Sequence, residues 1–477
     1  MDQQRNDSSR TPNPRRRKRS QIQVFKEAYL PILIAAVAVL LIIVFIIGAV
    51  SRSIQRRKAE TTASIAASSS LAEEQARLTA EAEDLVQRAA ELAEQLDYEG
   101  AISLLNSFSG DSIQYPIILD AIIAYEDAQS KLVAWEDPAQ VAQLSFQLLI
   151  ADPQRAFTNA DYGSSYNKNF ITTDEFSAIL QQLYENGYIL VSLDNFLTTG
   201  TSADGSSIHQ AKTLYLPEGK KPLMLTQTQV NYNTYMIDSN GDRLPDKGGA
   251  GFASRLVIDA NGDFACEIVN ADGTQSTGAY DLVPILEAFI KENPDFSYQG
   301  ARAILAVTGY DGLFGYRTNP SAKTTFGEDK YNEEVAGATK IINALRRAGY
   351  DIACYTYSNV AYGERGTQEI QADLTDWSNE VAPILGDCDI LVYAKNSDIS
   401  EVSTYSGSKF TVLKNFGFRY YLGFCESGTP WATVAGDYVR IGRFLVTGSN
   451  LAYHADWFTG MFDAATVLDS TRGSVPN

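Results

Sequence analysis

Histidine is scarce in this chain of 477 residues: only His209 and His454 occur. With no local pair of imidazoles, a zinc centre built on clustered histidines has nothing to start from. Cysteine is sparse as well, at Cys266, Cys354, Cys388 and Cys425. The spacing excludes a zinc knuckle and a redox CxxC motif. Outside the cytoplasm one disulfide is open to the chain, Cys388 with Cys425, although small buried hydrophobes are the default for all four. Basic residues are the third shortage, 39 against 58 acidic ones, for a net charge of −19. They are also segregated. Residues 1–58 hold twelve Lys/Arg and three Asp/Glu, which leaves 27 basic and 55 acidic residues for 59–477. A polyanion of that kind stays soluble and repels nucleic acid, so a DNA or RNA role is excluded.

What is present is one long apolar run. Residues 28–50, from Ala28 to Val50, carry no charge and consist almost wholly of Ala, Val, Ile, Leu and Phe. About 20 helical residues cross a hydrocarbon core of ~30 Å, so the run suffices for one transmembrane helix. A cleaved signal peptide would have a shorter apolar core and a small-residue cleavage site; here Arg52, Arg56, Arg57 and Lys58 follow instead. The heavier basic flank, Arg5, Arg10, Arg15 to Arg19 and Lys26, precedes the run. The expected topology is therefore single-pass in the plasma membrane, with a disordered cytoplasmic tail at 1–27 and an extracytoplasmic C-terminal part.

Beyond the anchor, Leu78, Ala82, Leu85, Ala89, Leu92 and Leu96 alternate steps of four and three, the apolar stripe of a helix. Further stripes at Ala101 to Leu105 and Ile118 to Tyr125 predict a helical stalk over 51–137, with hairpins like a lone tetratricopeptide unit. One such unit buries little, so it is expected to pack on the next domain or on a second copy. From Pro138 strand-length apolar runs alternate with amphipathic helices, one of them opening at the capping box Thr172 to Glu175 and stopping at Gly187. About eight such runs over 138–477 predict an α/β fold, a mostly parallel (β/α) barrel with its chemistry at the strand ends. Asn261-Gly262 and Asp272-Gly273 mark a β-hairpin insertion near 250–282. Asp238, Asn240 and Asp242 are spaced like a calcium loop, but the glycine is misplaced and no closing Glu follows, which favours a tight turn.

Several segments, in order, carry a family resemblance: Tyr188 to Asp194, Lys221-Pro222-Leu223-Met224-Leu225-Thr226, Ala348-Gly349-Tyr350-Asp351-Ile352-Ala353, Gly417 to Tyr421, and the late Arg440. Over about Gln143 to the C-terminus the chain resembles the NodB-homology polysaccharide deacetylases, carbohydrate esterases on a distorted (β/α) barrel that use zinc or another divalent metal. The resemblance implies a general base at Thr228 and metal ligands at Gln229, Tyr355 and Asn359. It also implies an assisting acid at His454, within Leu451-Ala452-Tyr453-His454. Base and ligand positions have all departed from the family pattern.

Chemistry judges that departure. Hydroxyl, amide and neutral phenol groups are weak, uncharged ligands beside imidazole and carboxylate. Without a metal no bound water is driven from a pKa of about 15.7 toward ~7, and a Thr at the base position accepts no proton near neutrality. The expectation is no cofactor and a pseudoenzyme that binds cell-envelope N-acetyl-sugar polymer, such as peptidoglycan glycan, or a partner. Asn231, Tyr232, Tyr310, Tyr316, Arg317, Trp431 and Trp457 are the candidate substrate contacts, as aromatic faces and hydrogen-bond partners for sugar rings. Two alternatives stand beside it. One is an active polysaccharide deacetylase or related hydrolase with a rearranged site drawing on Asp311, Cys354, Asp398 or His454. The other is an assembly protein that forms a homo-oligomer or recruits a partner through the stalk.

Overall fold

A computed structural model describes residues 29–202, 207–400, 404–425 and 428–476; the tail expected at 1–27 lies outside the described residues. The chain divides into two compact units, Met1–Glu81 and Ala82–Asn477. In the first, helix α1 (Leu30–Glu94) begins, and its apolar residues, Leu41 and Phe45 among them, are exposed. It is long and apolar enough to cross a membrane. No break separates the apolar run from the stalk: the Ala- and Glu-rich sequence after Lys58 favours helix and continues it.

The second unit starts with the end of α1, where Ala82, Leu85 and Ala89 are buried as the apolar stripe predicts. Helices α2 (Tyr98–Leu105) and α3 (Pro116–Ser130) follow as a hairpin. Asp97 caps α2 by accepting from the Gly100 amide at 3.0 Å, and Pro116 opens α3, where its missing N–H costs nothing.

Seven parallel strands close a barrel: β1 (Ala142–Phe146), β2 (Lys221–Thr228), β3 (Ile304–Val307), β4 (Asp351–Cys354), β5 (Ile390–Val392), β6 (Tyr420–Phe424) and β7 (Tyr438–Leu445). Each pairs with its successor and β7 returns to β1. Of the eight strand-length runs in the sequence, the one at Tyr188–Leu190 does not close the barrel. It pairs with the first residues of β2, beside which β3 takes over from Thr226 onward. The expected insertion is an antiparallel meander, Arg255–Ile258, Phe264–Val269 and Gln275–Gly278, with Gly262 and Gly273 at positive φ in its turns.

Alternation along the strands sorts the core. Met224, Ile304, Ala306, Ala353, Val392, Leu422, Val439 and Ile441 fill the interior, while Leu223, Leu225, Leu305 and Leu391 pack outward on the helices. Those helices include α4 (Thr173–Glu185), α5 (Leu282–Glu292), α6 (Glu328–Ala348), α7 (Thr367–Asp376) and α8 (Ser408–Asn415). In α4 the capping box is present, and Phe176, Ile179, Leu180 and Leu183 form its buried face. Its Glu175 is fully buried and paired with Arg472 of the C-terminal segment, which also binds the Asn167 and Phe170 carbonyls. The lower end of the barrel, at the strand N-termini, is shut. Leu96, just past α1, joins Leu193, Phe196, Leu214, Leu216 and Tyr298 against the interior, and the Gln299 amide donates to the Gln95 carbonyl at 2.7 Å. All four cysteines are free thiols, so the Cys388–Cys425 disulfide is not formed.

Candidate functional site

The open end of the barrel lies where the strands finish. Successive strand ends there leave in the left-handed backbone region without glycine: Gln229 and Tyr232 after β2, Asp311 and Phe314 after β3, Thr356 and Asn359 after β4, Lys395 and Asn396 after β5. Each such residue costs of order 1–3 kcal/mol and persists only where its surroundings enforce it, which marks this rim as a built surface.

At its centre Gln229 meets Asn359. The Asn359 side-chain amide donates to Gln229 Oε1 at 3.4 Å. Asn359 Oδ1 is buried and has no hydrogen-bond partner among the described residues. Thr228, the last residue of β2, points inward and its hydroxyl donates to the Phe146 carbonyl at 3.2 Å. Tyr355 is buried too, but its phenol turns toward β5 and accepts from the Lys395 amide at 3.3 Å. The structure thus joins two of the four positions by a hydrogen bond and aims the other two at separate neighbours.

Arg443, which sequence reasoning overlooked, lies in the barrel wall below. It shares inward parity with Val439 and Ile441, and is 1% exposed or less. Its guanidinium donates to Ser145 Oγ at 2.9 Å, the Tyr393 carbonyl at 2.9 Å and the Leu422 carbonyl at 3.4 Å. Burial pulls its pKa down to about 10, with Tyr355 opposing the shift. The signal was available: an arginine stands where the strand pattern Tyr438-Val-Arg-Ile-Gly-Arg-Phe-Leu445 calls for an apolar side chain.

A divalent ion does not fit this donor set. Two amide oxygens, an engaged phenol and an engaged hydroxyl carry no negative charge to offset an ion. No group of three His, Cys, Asp or Glu among the described residues is placed to hold one. The segment spaced like a calcium loop is the turn expected of it: Asp238 Oδ1 accepts from the Asn240 and Gly241 amides, each at 2.8 Å.

The remaining candidates divide by exposure. Asn231 is fully buried and ties two loops together: its Nδ2 donates to the Thr308 carbonyl at 2.9 Å and its Oδ1 accepts from the Thr308 amide at 3.0 Å. Tyr232 is buried with its hydroxyl on Asp281 Oδ2 at 2.7 Å. Arg317 donates to the Asp311 and Tyr232 carbonyls, both at 2.9 Å, and burial lowers its pKa to about 10. Tyr316 lies under Arg255, whose guanidinium carbon is 4.4 Å from the ring centroid. A ligand could reach these four only by displacing protein contacts. Tyr310 is different: it is 59% exposed and borders a cavity of 620 Å³ with Arg243, Asp311, Tyr357 and Glu380. Asp311 is withdrawn from the cavity, 3% exposed and accepting from the Thr234 amide at 2.9 Å, the Thr234 hydroxyl at 2.7 Å and Arg243 at 2.8 Å. Cys354 is buried, and burial raises its thiol well above the ordinary range, away from a thiolate nucleophile.

On the opposite side of the mouth, His454 stacks on Trp457 with ring centroids 4.4 Å apart, and Trp457 lies 6.1 Å from Phe424 at the end of β6. Trp431 lies over the barrel wall between β6 and β7. Gly423 and Gly442, paired across those strands, make room for it: a Cβ on Gly442 would come 2.3 Å from the indole nitrogen.

No protein-family model and no curated protein matches the chain. Among solved structures, the Streptococcus pyogenes deacetylase PplD in complex with acetate is similar at 10% identity and a TM-score of 0.34, over 71% of this chain and 99% of that one. A de-N-acetylase from Aggregatibacter actinomycetemcomitans is similar at 11% identity and a TM-score of 0.33, over 65% of this chain and 95% of that one.

Proposed function

We propose that this chain is a membrane-anchored, extracytoplasmic barrel of the polysaccharide-deacetylase type that binds glycan at its mouth without hydrolysing it. The observation that carries the reading is the contact between Gln229 and Asn359. Two neutral amides bond to one another where the resemblance would place ligands of an ion. Beside them Thr228 offers only a hydroxyl, donated to a carbonyl, and a neutral hydroxyl is too weakly basic to take a proton near neutrality. Loss of the ion and loss of the base each remove orders of magnitude in rate, and both act on the same step. The cavity beside Tyr310 supplies what binding alone requires: an exposed aromatic face next to fixed polar groups, in a volume suited to a sugar unit.

The test is direct. Full-length protein in detergent micelles is assayed for acetate release from N-acetylglucosamine oligomers with and without added zinc, and its metal content is measured. No acetate and no stoichiometric metal are the expected results. Turnover that chelation abolishes would overturn the reading.

A further inference from the structure

Asp398 stands apart from the mouth's centre, and nothing in the lost hydrolytic chemistry calls for it. It follows β5, where Lys395 and Asn396 turn the chain outward through consecutive left-handed conformations. Its carboxylate is rigidly oriented. Oδ2 accepts from Arg440 at 2.8 Å; Oδ1 accepts from the Tyr405 hydroxyl at 2.7 Å and the Ser400 amide at 3.1 Å. Arg440 is stacked over the Tyr405 ring, 4.2 Å from its centroid. Asp398, Arg440, Glu364, Asn396, Phe424 and Trp431 border a cavity of 690 Å³.

Exposure decides the sign of the ligand. The Arg440 side chain is 5% exposed and the Asp398 side chain 16% exposed, so of this ion pair the carboxylate is what the cavity presents. Glu364, an exposed residue, adds a second carboxylate to the lining. Among the described residues, a ligand entering here meets two carboxylates against one largely buried guanidinium, together with the rings of Trp431 and Phe424. That combination takes a cationic, hydroxyl-bearing group: the charge sits against the carboxylates and a C–H face against the rings. The acidic excess of residues 59–477 works in the same direction, drawing polycations toward this surface.

We infer that this cavity binds a hexosamine carrying a free ammonium group, so that the protein recognises de-N-acetylated stretches of a glycan. The inference rests on the reading of the chain as a glycan binder that leaves the amide intact. It adds which form of the glycan is held, and where. An N-acetylated unit brings no charge to the carboxylates and would set its methyl group against them, leaving polar groups unpaired.

The experiment uses full-length protein in detergent micelles, titrated by calorimetry with glucosamine tetramer and, separately, N-acetylglucosamine tetramer. Expected are saturable binding of the amine form, at least tenfold tighter than the acetylated form, and several-fold weakening between low and moderate salt. Glu364→Gln, an exposed change that leaves the fold alone, weakens the amine form three- to tenfold; Trp431→Leu weakens it at least tenfold. Equal affinity for the two tetramers, no binding of the amine form, or wild-type affinity in both variants overturns the inference. Binding of the acetylated tetramer that Tyr310→Ala abolishes and Glu364→Gln spares would leave the glycan-binder reading standing and defeat this one alone. Acetate release would defeat the reading itself.

Discussion

Replacing Asp351 by Asn should stabilise this protein at neutral pH. Asp351 opens β4 at the closed end of the barrel, beside a cavity of 410 Å³ also bordered by Asp194, Asp387 and Asp389. Burial, with Asp194 and Asp389 adding repulsion and Arg346 relieving part of it, raises its pKa from 3.8 to about 6. The folded state therefore holds this proton more tightly than the unfolded chain. Stability from this group is greatest below pH ~4, falls as the pH rises through the window from ~4 to ~6, and is level above it. A rise of about two units corresponds to roughly 3 kcal/mol of lost stability at pH 7 as an upper bound, and partial solvent access reduces this to about 1–2 kcal/mol. Asn keeps the shape and removes the charge. Urea unfolding of full-length wild type and Asp351→Asn in micelles, from pH 4 to 8, gives the difference directly. The variant should be more stable by about 1–2 kcal/mol at pH 7.5 and no more stable near pH 4. A difference that does not vary with pH, or a variant weaker at pH 7.5, would refute the reasoning.

The remaining expectations concern other parts of the molecule. Arg472→Ala strands the buried Glu175 carboxylate without its cation and should cost about 3–5 kcal/mol, read as a lowered urea midpoint. Gly442→Ala drives a methyl group into the Trp431 indole; about 1–3 kcal/mol of destabilisation and a changed tryptophan emission spectrum are expected, and an unchanged spectrum would count against the seat described for that ring. Gln229→Asp combined with Asn359→His places a carboxylate and an imidazole at two positions whose side chains are already in contact. Zinc should then raise the melting temperature of the double variant and leave the wild type unmoved.

The sequence made the barrel readable because a parallel sheet is buried on both faces. Its strands become short, nearly continuous apolar runs, as in Leu223-Met224-Leu225 and Ile390-Leu391-Val392. The same property hid the pairing. Tyr188–Leu190 is as apolar as its neighbours, and nothing local reveals that it lines only the first residues of β2. Helix signals of a chemical kind carried over residue for residue, the Thr172–Glu175 box above all, because both of its bonds lie within four residues. Long-range polar partnerships were not readable. Asn231 and Arg317 looked like free donors in the sequence, and only the folded loops show which carbonyls take their hydrogens. Gln229 and Asn359 were paired through resemblance alone, since no periodicity connects two amides so far apart in the chain. Of the left-handed residues along the rim, Gln229, Tyr232, Phe314, Thr356 and Lys395 are of types that carry no mark of that conformation, and the Asp and Asn among them are common elsewhere in the chain.

Leu96 has a practical bearing on how the protein can be handled. Because that side chain, delivered from the end of α1, stoppers the barrel floor together with Tyr298 and Leu216, the helices ahead of Pro138 belong to the folding unit as much as the strands do. A truncated form starting at Pro138 would lose Leu96 and the strand Val133–Trp135 that pairs with Leu214–Leu216, leaving that apolar cluster incomplete and inviting aggregation. Cutting upstream of Ala82, where the chain's two units divide, keeps the stopper in place.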